Sequence, residues 1–196
     1  MAGAARREQV TRAAIDVLAE DGFAATSFGA IAGRIGVSKG VLSYHFSSKA
    51  ELLGEVVRLV LGEAEDWMTP RLRSATSYRA ALRSYIDANL SFLDTHRTAI
   101  RALTEVLLNG RSVPGLAEYY AGTQGTAVEE LTKLFEGGQA AGEFGDAPPR
   151  ILAISLRATI DALSESLRSD PTADLAEVKQ GLLTMFDRAT TNADAR

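Results

Sequence analysis

Ile31-Ala32-Gly33-Arg34-Ile35-Gly36-Val37-Ser38-Lys39-Gly40-Val41-Leu42 is the stretch on which the fold turns. Two short helices that cross closely need a small residue on the first, a glycine able to take positive φ in the turn, and an apolar residue on the second facing the first. Ala32, Gly36 and Leu42 fall in those three places, and Val37 adds an apolar plug beside the turn. Just upstream, Phe28, Ile31, Ala32 and Ile35 lie at i, i+3, i+4 and i+7, which predicts a short amphipathic helix that Thr26 or Ser27 can cap. Downstream, Ser38 can cap a third short helix through Leu42 to about His45. In a helix-turn-helix of this kind the second helix lies in the DNA major groove with its N-terminal residues at the base edges. Lys39, Gly40, Val41 and Ser43 are the exposed positions there, and Gly40 leaves room for close backbone approach.

Helical spacing continues on both sides. Val10, Ala14, Val17 and Leu18 give a first amphipathic helix that stops at Gly22. Ser48-Lys49-Ala50-Glu51 has the spacing of a capping box and opens a long fourth helix toward Trp67, which Pro70 is expected to close. Further helices are expected at roughly 76–95, 97–109, 114–140, 149–168 and 172–190, separated by Asn109-Gly110, Val113-Pro114-Gly115, Gly142 to Pro149 and Asp170-Pro171. No alternating run rich in β-branched and aromatic residues occurs, so the expectation is an all-α chain of about nine helices. A three-helix head over 1–47 would precede a helical domain over 48–196, whose last six or so polar residues fray.

The chain has 196 residues, 46% hydrophobic and 23% charged, enough apolar material for a real core. No window approaches the roughly 20 consecutive apolar residues of a membrane span. The N-terminus has basic residues but no apolar block behind them, so a soluble, cytoplasmic protein is expected. With no cysteine and only His45 and His96, disulfides, thiolate zinc sites and cysteine nucleophiles are excluded and a histidine metal centre is not expected. Neither a cofactor nor a metal is expected. The net charge of −4 is uneven: residues 1–50 carry six Lys/Arg against four acids, and the remainder carries 15 against 21. Because salt screens exposed charges beyond about 8 Å, an acidic remote domain does not stop a basic head from meeting phosphate.

In chain order, Gly22-Phe23-Ala24-Ala25-Thr26-Ser27-Phe28, Ile31-Ala32, Ile35 to Gly40, Tyr44-His45-Phe46, Lys49 and Glu51-Leu52-Leu53 resemble the DNA-binding region of the TetR family of transcriptional regulators. The resemblance implies a long connecting helix from this head to an all-α regulatory domain that dimerises and binds a small molecule. It further implies that Thr26 and Ser27 hold phosphate at the second helix and Lys49 at the fourth, with Ser38 and Ser47 adding donors. Lys39, Gly40, Val41 and Ser43 would then face bases, Lys39 able to reach guanine O6 and N7 and Val41 a thymine methyl. Tyr44 and His45 resemble the family's aromatic pair near the backbone. His45 also has a plainer reading, covering the edge of the core with a ring nitrogen on backbone. The chain departs from the family at Ser43, where many members carry a phosphate-binding tyrosine; Tyr44 brings the aromatic hydroxyl one place later, and both stay candidates.

In 151–168, Leu152, Leu156, Ile160, Leu163 and Leu167 make one stripe and Ile151, Ile154, Ala158 and Ala162 a second. Two stripes need two partners, either both inside one subunit or one across a symmetric contact. The family resemblance favours a homodimer through helices 149–168 and 172–190, since one head reads only a half-site. Candidate ligand-binding residues are Trp67, Tyr85, Phe92, Arg101, Tyr119 and Asp161. Tyr78, Tyr120, His96 and Glu105 lie on the same helices. Asp161 stands among Ile160, Ala162 and Leu163, where a partly buried acid needs an arginine or a cationic ligand; a surface ion pair is the competing reading. The expected function is a ligand-responsive DNA-binding regulator, a repressor that holds a palindromic double-stranded operator as a homodimer until a small-molecule effector releases it. The alternative is a DNA-binding regulator with no small-molecule ligand, controlled by a protein partner or constitutive. No Ser/His/Asp set, paired catalytic carboxylates or Gly-rich phosphate loop supports an enzyme.

Overall fold

Serines and glycines set the helix ends almost wherever the chain turns. The computed structural model describes residues 2–110, 113 and 115–191, which form α1 (Ala2–Ala25), α2 (Phe28–Arg34), α3 (Lys39–His45), α4 (Lys49–Arg73), α5 (Tyr78–Thr95), α6 (Arg97–Asn109), α7 (Leu116–Ala140), α8 (Pro149–Ser169) and α9 (Leu175–Ala189). No strand occurs among the described residues; Pro114 and residues 192–196, where a turn and a frayed tail are expected, lie outside them. Gly22 interrupts α1 with φ 81° and ψ 175°, a region open in practice only to glycine. Ser27 caps α2 by accepting from the Ala30 N–H at 3.2 Å. Gly36, at φ 67°, ends α2 in a Schellman turn: Val37 N donates to Ala32 O at 3.0 Å and Gly36 N to Gly33 O at 3.4 Å. The small, turning and plugging roles expected of Ala32, Gly36 and Val37 therefore belong to one hydrogen-bonded unit.

Ser48 caps α4 through the Glu51 N–H at 3.1 Å. Glu51 reaches back past Ser48 to Ser47, accepting from its N–H at 2.8 Å and its hydroxyl at 2.7 Å. The expected end of this helix at Pro70 is corrected, for α4 runs on to Arg73 with Pro70 inside. Met68 and Leu72 are packed against the second core, which holds the last turn in place despite the N–H that proline lacks. The last helix begins at Leu175 rather than near 172, because Asp174 supplies its cap and Asp170 folds the preceding residues into a turn by accepting from Thr172.

Two apolar cores organise the nine helices. The first gathers Val10, Ala14, Leu18, Ile31, Leu42 and Phe46 of the head with Leu52, Val56 and Val60 of α4 and Ala102 and Val106 of α6. The second joins α5, α7, α8 and α9 through Ile86, Leu90, Phe135, Leu156, Ile160 and Phe186. The α9 stripe Leu175, Leu182 and Phe186 is thus buried inside one subunit, whereas Ile151, Ile154, Ala158 and Ala162 of α8 are exposed.

At the end of α7 a second Schellman turn, with Gly142 at φ 72°, folds Phe144 back onto Gly138. A Cβ on Gly138 would stand 2.1 Å from the Phe144 ring, while one on Gly125 of the same helix meets nothing within 4 Å. Gly138→Ala should therefore lower stability by about 1–3 kcal/mol through overpacking, against a backbone gain of at most about 1 kcal/mol. Gly125→Ala should raise it by up to about 1 kcal/mol. Urea denaturation of the two variants checks both signs.

Candidate functional site

The exposed face of the head is built by α3 and the turns beside it. Leu42 points inward and is fully buried, as is Phe46 just past the helix, so Lys39, Gly40, Ser43 and Tyr44 face outward. Val41 and His45 are half-buried at the edges of this face. Tyr44 is 86% exposed and meets the His45 ring edge-on at 5.1 Å. Ser27 and Ser38 stand exposed at the starts of α2 and α3; the Ser38 hydroxyl makes no capping bond and is free to donate. Of the expected phosphate ligands, Thr26 and Lys49 are placed differently. Thr26 is buried and its hydroxyl donates to Gly22 O at 2.8 Å. The Lys49 ammonium is turned inward, donating to Phe23 O at 2.9 Å and lying 4.4 Å from the Phe23 ring centroid, where burial lowers its pKa.

The Phe23 peptide is held on its other side as well. Its N–H donates to Glu105 Oε2 of α6 at 3.2 Å, and Glu105 also faces Arg168 of α8 at 3.5 Å. Arg7 closes the far edge of the head: its guanidinium stacks 4.1 Å over the Phe46 ring, donates to His45 O at 2.5 Å and pairs with Glu51 at 2.9 Å. Glu51, taking hydrogen bonds from the Ser47 hydroxyl and backbone and from Arg7, has its pKa lowered to about 2.

Behind the head, α4, α5, α6, α7 and α8 enclose a cavity of about 600 Å³. Of the candidate ligand-binding residues, Tyr85, Phe92, Tyr119 and Asp161 line it. Trp67 and Arg101 do not: Trp67 packs beside Phe92 and His96 under the Arg71 guanidinium, and Arg101 sits on a flank of α6 where Glu20 of α1 feels its charge. Three lining residues, Asn89, Gln124 and Arg157, go unmarked in the sequence reading. Arg157 is the consequential one, donating to Asp161 Oδ1 at 2.8 Å, Tyr85 Oη at 3.2 Å and Asn89 Oδ1 at 3.5 Å. Burial works against its charge, but Tyr85 and Asp161 together hold its pKa above the usual value. The four-residue spacing of Arg157 and Asp161 on one helix is the signal that pairs them. Among the described residues no cluster of His, Asp and Glu could hold a metal ion, and no helix is long and apolar enough to cross a membrane.

An all-helical chain with a helix-turn-helix head and a cavity in its larger domain defines a class of DNA-binding regulators. The signature of bacterial regulatory proteins of the tetR family matches residues 10–56, and that of the BetI-type transcriptional repressor C-terminal region matches residues 78–190. The chain belongs to the TetR family of transcriptional regulators. It is 29% identical over 197 aligned positions to the tetracycline repressor protein class A from transposon 1721 of Escherichia coli, covering 91% of this chain and 87% of that one. Its fold matches a tetR-family regulatory protein from Rhodococcus RHA1 with a TM-score of 0.81 at 21% identity, over 96% of this chain and 98% of the other. It also matches AibR in complex with isovaleryl coenzyme A and operator DNA, with a TM-score of 0.78 at 16% identity over 92% and 97% of the two chains.

Two outcomes are expected. Glu105→Ala leaves the part-buried Phe23 N–H without its acceptor and should lower stability by about 1–3 kcal/mol, whereas Glu105→Gln keeps an acceptor there and should lose less. Thermal melts of the pair check this. Because the Glu51 pKa is lower folded than unfolded, its stabilisation is complete above about pH 4.5 and disappears as pH falls toward 2. The stability difference between wild type and Glu51→Gln, followed by urea midpoints across pH, should therefore be flat above pH 5 and shrink below it.

Proposed function

We propose that the protein is a ligand-responsive repressor that binds a palindromic operator as a homodimer and is released by a small-molecule effector. The observation that carries this reading is the outward face of α3, with Lys39, Gly40, Ser43 and Tyr44 exposed together over a fully buried Leu42. Lys39, Gly40 and Ser43 lie on the side that enters the major groove, with Val41 at its edge; Ser27, Ser38 and Tyr44 hold flanking phosphates. Tyr44 is preferred over Ser43 as the phosphate contact because its hydroxyl stands far out on an exposed ring. His45 flanks Tyr44 and orients its ring. Thr26 and Lys49 act behind this surface, fixing the α1–α2 junction and the start of α4, rather than on the phosphates themselves.

The exposed Ile151, Ile154, Ala158 and Ala162 face of α8 suits a self-complementary contact between two copies. Such a pair presents two heads to half-sites about 34–36 Å apart. Division of the chain near residue 47 places all base-facing residues in the head and the cavity in the remainder. An effector that prefers one head spacing over another shifts operator affinity through α4 and α6, which border both the cavity and the head.

Binding of purified protein to DNA upstream of its own gene and to genome-derived fragments, across a salt series, tests the reading. Wild type should select particular fragments with salt-sensitive affinity, and Lys39→Ala/Tyr44→Ala should lose about 1–3 kcal/mol of that affinity for the Lys39 base contact and weaken on all fragments for the Tyr44 phosphate contact, while melting as wild type does. Equal binding by the folded variant would overturn the assignment of α3 as the reading helix.

A further inference from the structure

The cavity carries a charge pattern that selects among ligand chemistries. Its walls are mostly apolar and aromatic, with Phe92, Leu93, Ile100 and Leu103 among them. Polar groups converge on one wall, where Arg157 and Asp161 are the two charged residues. The other charged residues that reach the cavity, Arg58, Glu65 and Glu130, are exposed at its opening, and Arg58 is already paired with Glu55 at 2.6 Å. Glu165, in an adjoining cavity, is paired with Arg168 at 3.0 Å.

On the inner wall the charges cancel. Arg157, with 15% of its side chain exposed, donates to Asp161 at 2.8 Å, so the pair presents no net charge to an incoming molecule. A ligand bringing an ammonium or a carboxylate would leave one full charge uncompensated against mostly apolar walls, which is unfavourable unless a partner is supplied. Hydrogen-bonding capacity does remain. A guanidinium has five N–H donors; Arg157 uses its two terminal nitrogens on Tyr85, Asn89 and Asp161, and its buried Nε has no acceptor. Asp161 Oδ1 already accepts from Arg157 and from Gln124 at 3.1 Å, and Gln124 also donates to the Tyr120 hydroxyl. The wall therefore offers donors and acceptors but no net charge.

We propose that this cavity takes an uncharged, ring-bearing amphiphile whose single hydroxyl or carbonyl end docks on the Arg157–Asp161 wall while its rings lie between Phe92 and the tyrosines. This deepens the effector reading above and rests on it for regulation. Para-substituted biphenyls with a hydroxymethyl, a carboxylate or an aminomethyl head are matched probes, since at neutral pH they differ chiefly in charge. Calorimetric titration of the wild-type protein should rank the hydroxymethyl compound at least tenfold tighter than either charged one. Asp161→Asn uncovers the arginine charge and should move the carboxylate to first place; Arg157→Gln uncovers the aspartate and should favour the aminomethyl compound. Circular dichroism melts establish that each variant is folded, and the wild-type ranking stands as a test without them. A charged probe ranked first by wild type, an unchanged order in folded Asp161→Asn, or no binding of any of the three overturns the proposal. Operator release is measured separately with the same compounds. Tight binding of the neutral probe with operator affinity unchanged supports the ligand class and counts against the effector reading, whereas release by a charged probe alone does the reverse.

Discussion

The junction from which the head is built is fixed at one residue, Phe23, whose backbone N–H and carbonyl are both held by charged side chains. Gly22 turns the chain at φ 81° and ψ 175°, and any side chain there would meet backbone strain of order 1–3 kcal/mol. Beside the turn, the Phe23 N–H and carbonyl each meet a charged side chain from a different helix, Glu105 of α6 on the N–H and Lys49 of α4 on the carbonyl. Hydrogen bonds to charged groups are worth roughly twice neutral ones. The junction between α1 and α2 is thus tied to both helices that continue into the larger domain, and α2 and α3 are built outward from it. Lys49, expected on phosphate from the family resemblance, is drawn into this clamp because Phe23 supplies it with both a carbonyl and an aromatic face.

The same two helices border the cavity. Val60 and Leu61 of α4 and Ile100 and Leu103 of α6 line it, while Val56, Val57, Ala102 and Val106 pack into the core shared with the head. A close-packed core transmits displacement instead of absorbing it, so a molecule wedged between α4 and α6 and the wall formed by α7 and α8 bears on the residues under the reading helix. Arg168, between Glu105 and Glu165, extends the polar link from α8 to the Phe23 clamp. Cavity, clamp and head are contiguous, which gives the proposed coupling between ligand and DNA a packed route.

Local rules made most of this legible in advance. The turn at Gly36, the caps Ser27 and Ser48, the buried Leu42 and the two stripes of α8 follow from φ preference, capping chemistry and helical period, all of which act within a few residues. Pro70 misled because tertiary packing of Met68 and Leu72 outweighs a missing N–H, an effect that no window of sequence contains. Thr26 looked as capable a cap as Ser27, and only the kink at Gly22 decides which hydroxyl turns inward. Trp67 and Arg101 were candidates for the cavity by residue type, but their rotation about α4 and α6 turns them away from it. Arg157 was hidden for the opposite reason, since an arginine on a long helix reads as solvated until the helices around it close.

The head's charges have a further consequence for how it can hold DNA. Of its basic residues, Arg7 is fixed by Phe46, His45 and Glu51, Lys49 by Phe23, Arg12 by Glu8 and Glu63, and Arg34 by Glu20 and Asp21, while among the described residues Arg6 pairs with no acid and donates only to Gln9 at 2.6 Å. Exposed ion pairs are weak, so Arg12 and Arg34 can let go of their acids, but those acids stay beside them and offset what they offer to phosphate. Among the described residues Lys39 is the basic side chain of the head that makes no ion pair or hydrogen bond with the protein, and it stands at the start of the reading helix. Counterion release scales with the phosphates that cations neutralise, so a head with so few available cations draws less of its affinity from that source than a strongly basic one does. In the proposed mode of DNA binding, more of the discrimination then falls to the fit of α3 in the groove and to neutral hydroxyl donors on the backbone, Ser27, Ser38 and Tyr44 among them. Two heads joined at fixed spacing, as in the proposed dimer, add avidity without any new contact, because the second meets its half-site at a raised effective concentration. In the proposed dimer, a weakly charged head and dependence on half-site spacing would be two aspects of one design, and a ligand that altered the spacing would have correspondingly greater leverage.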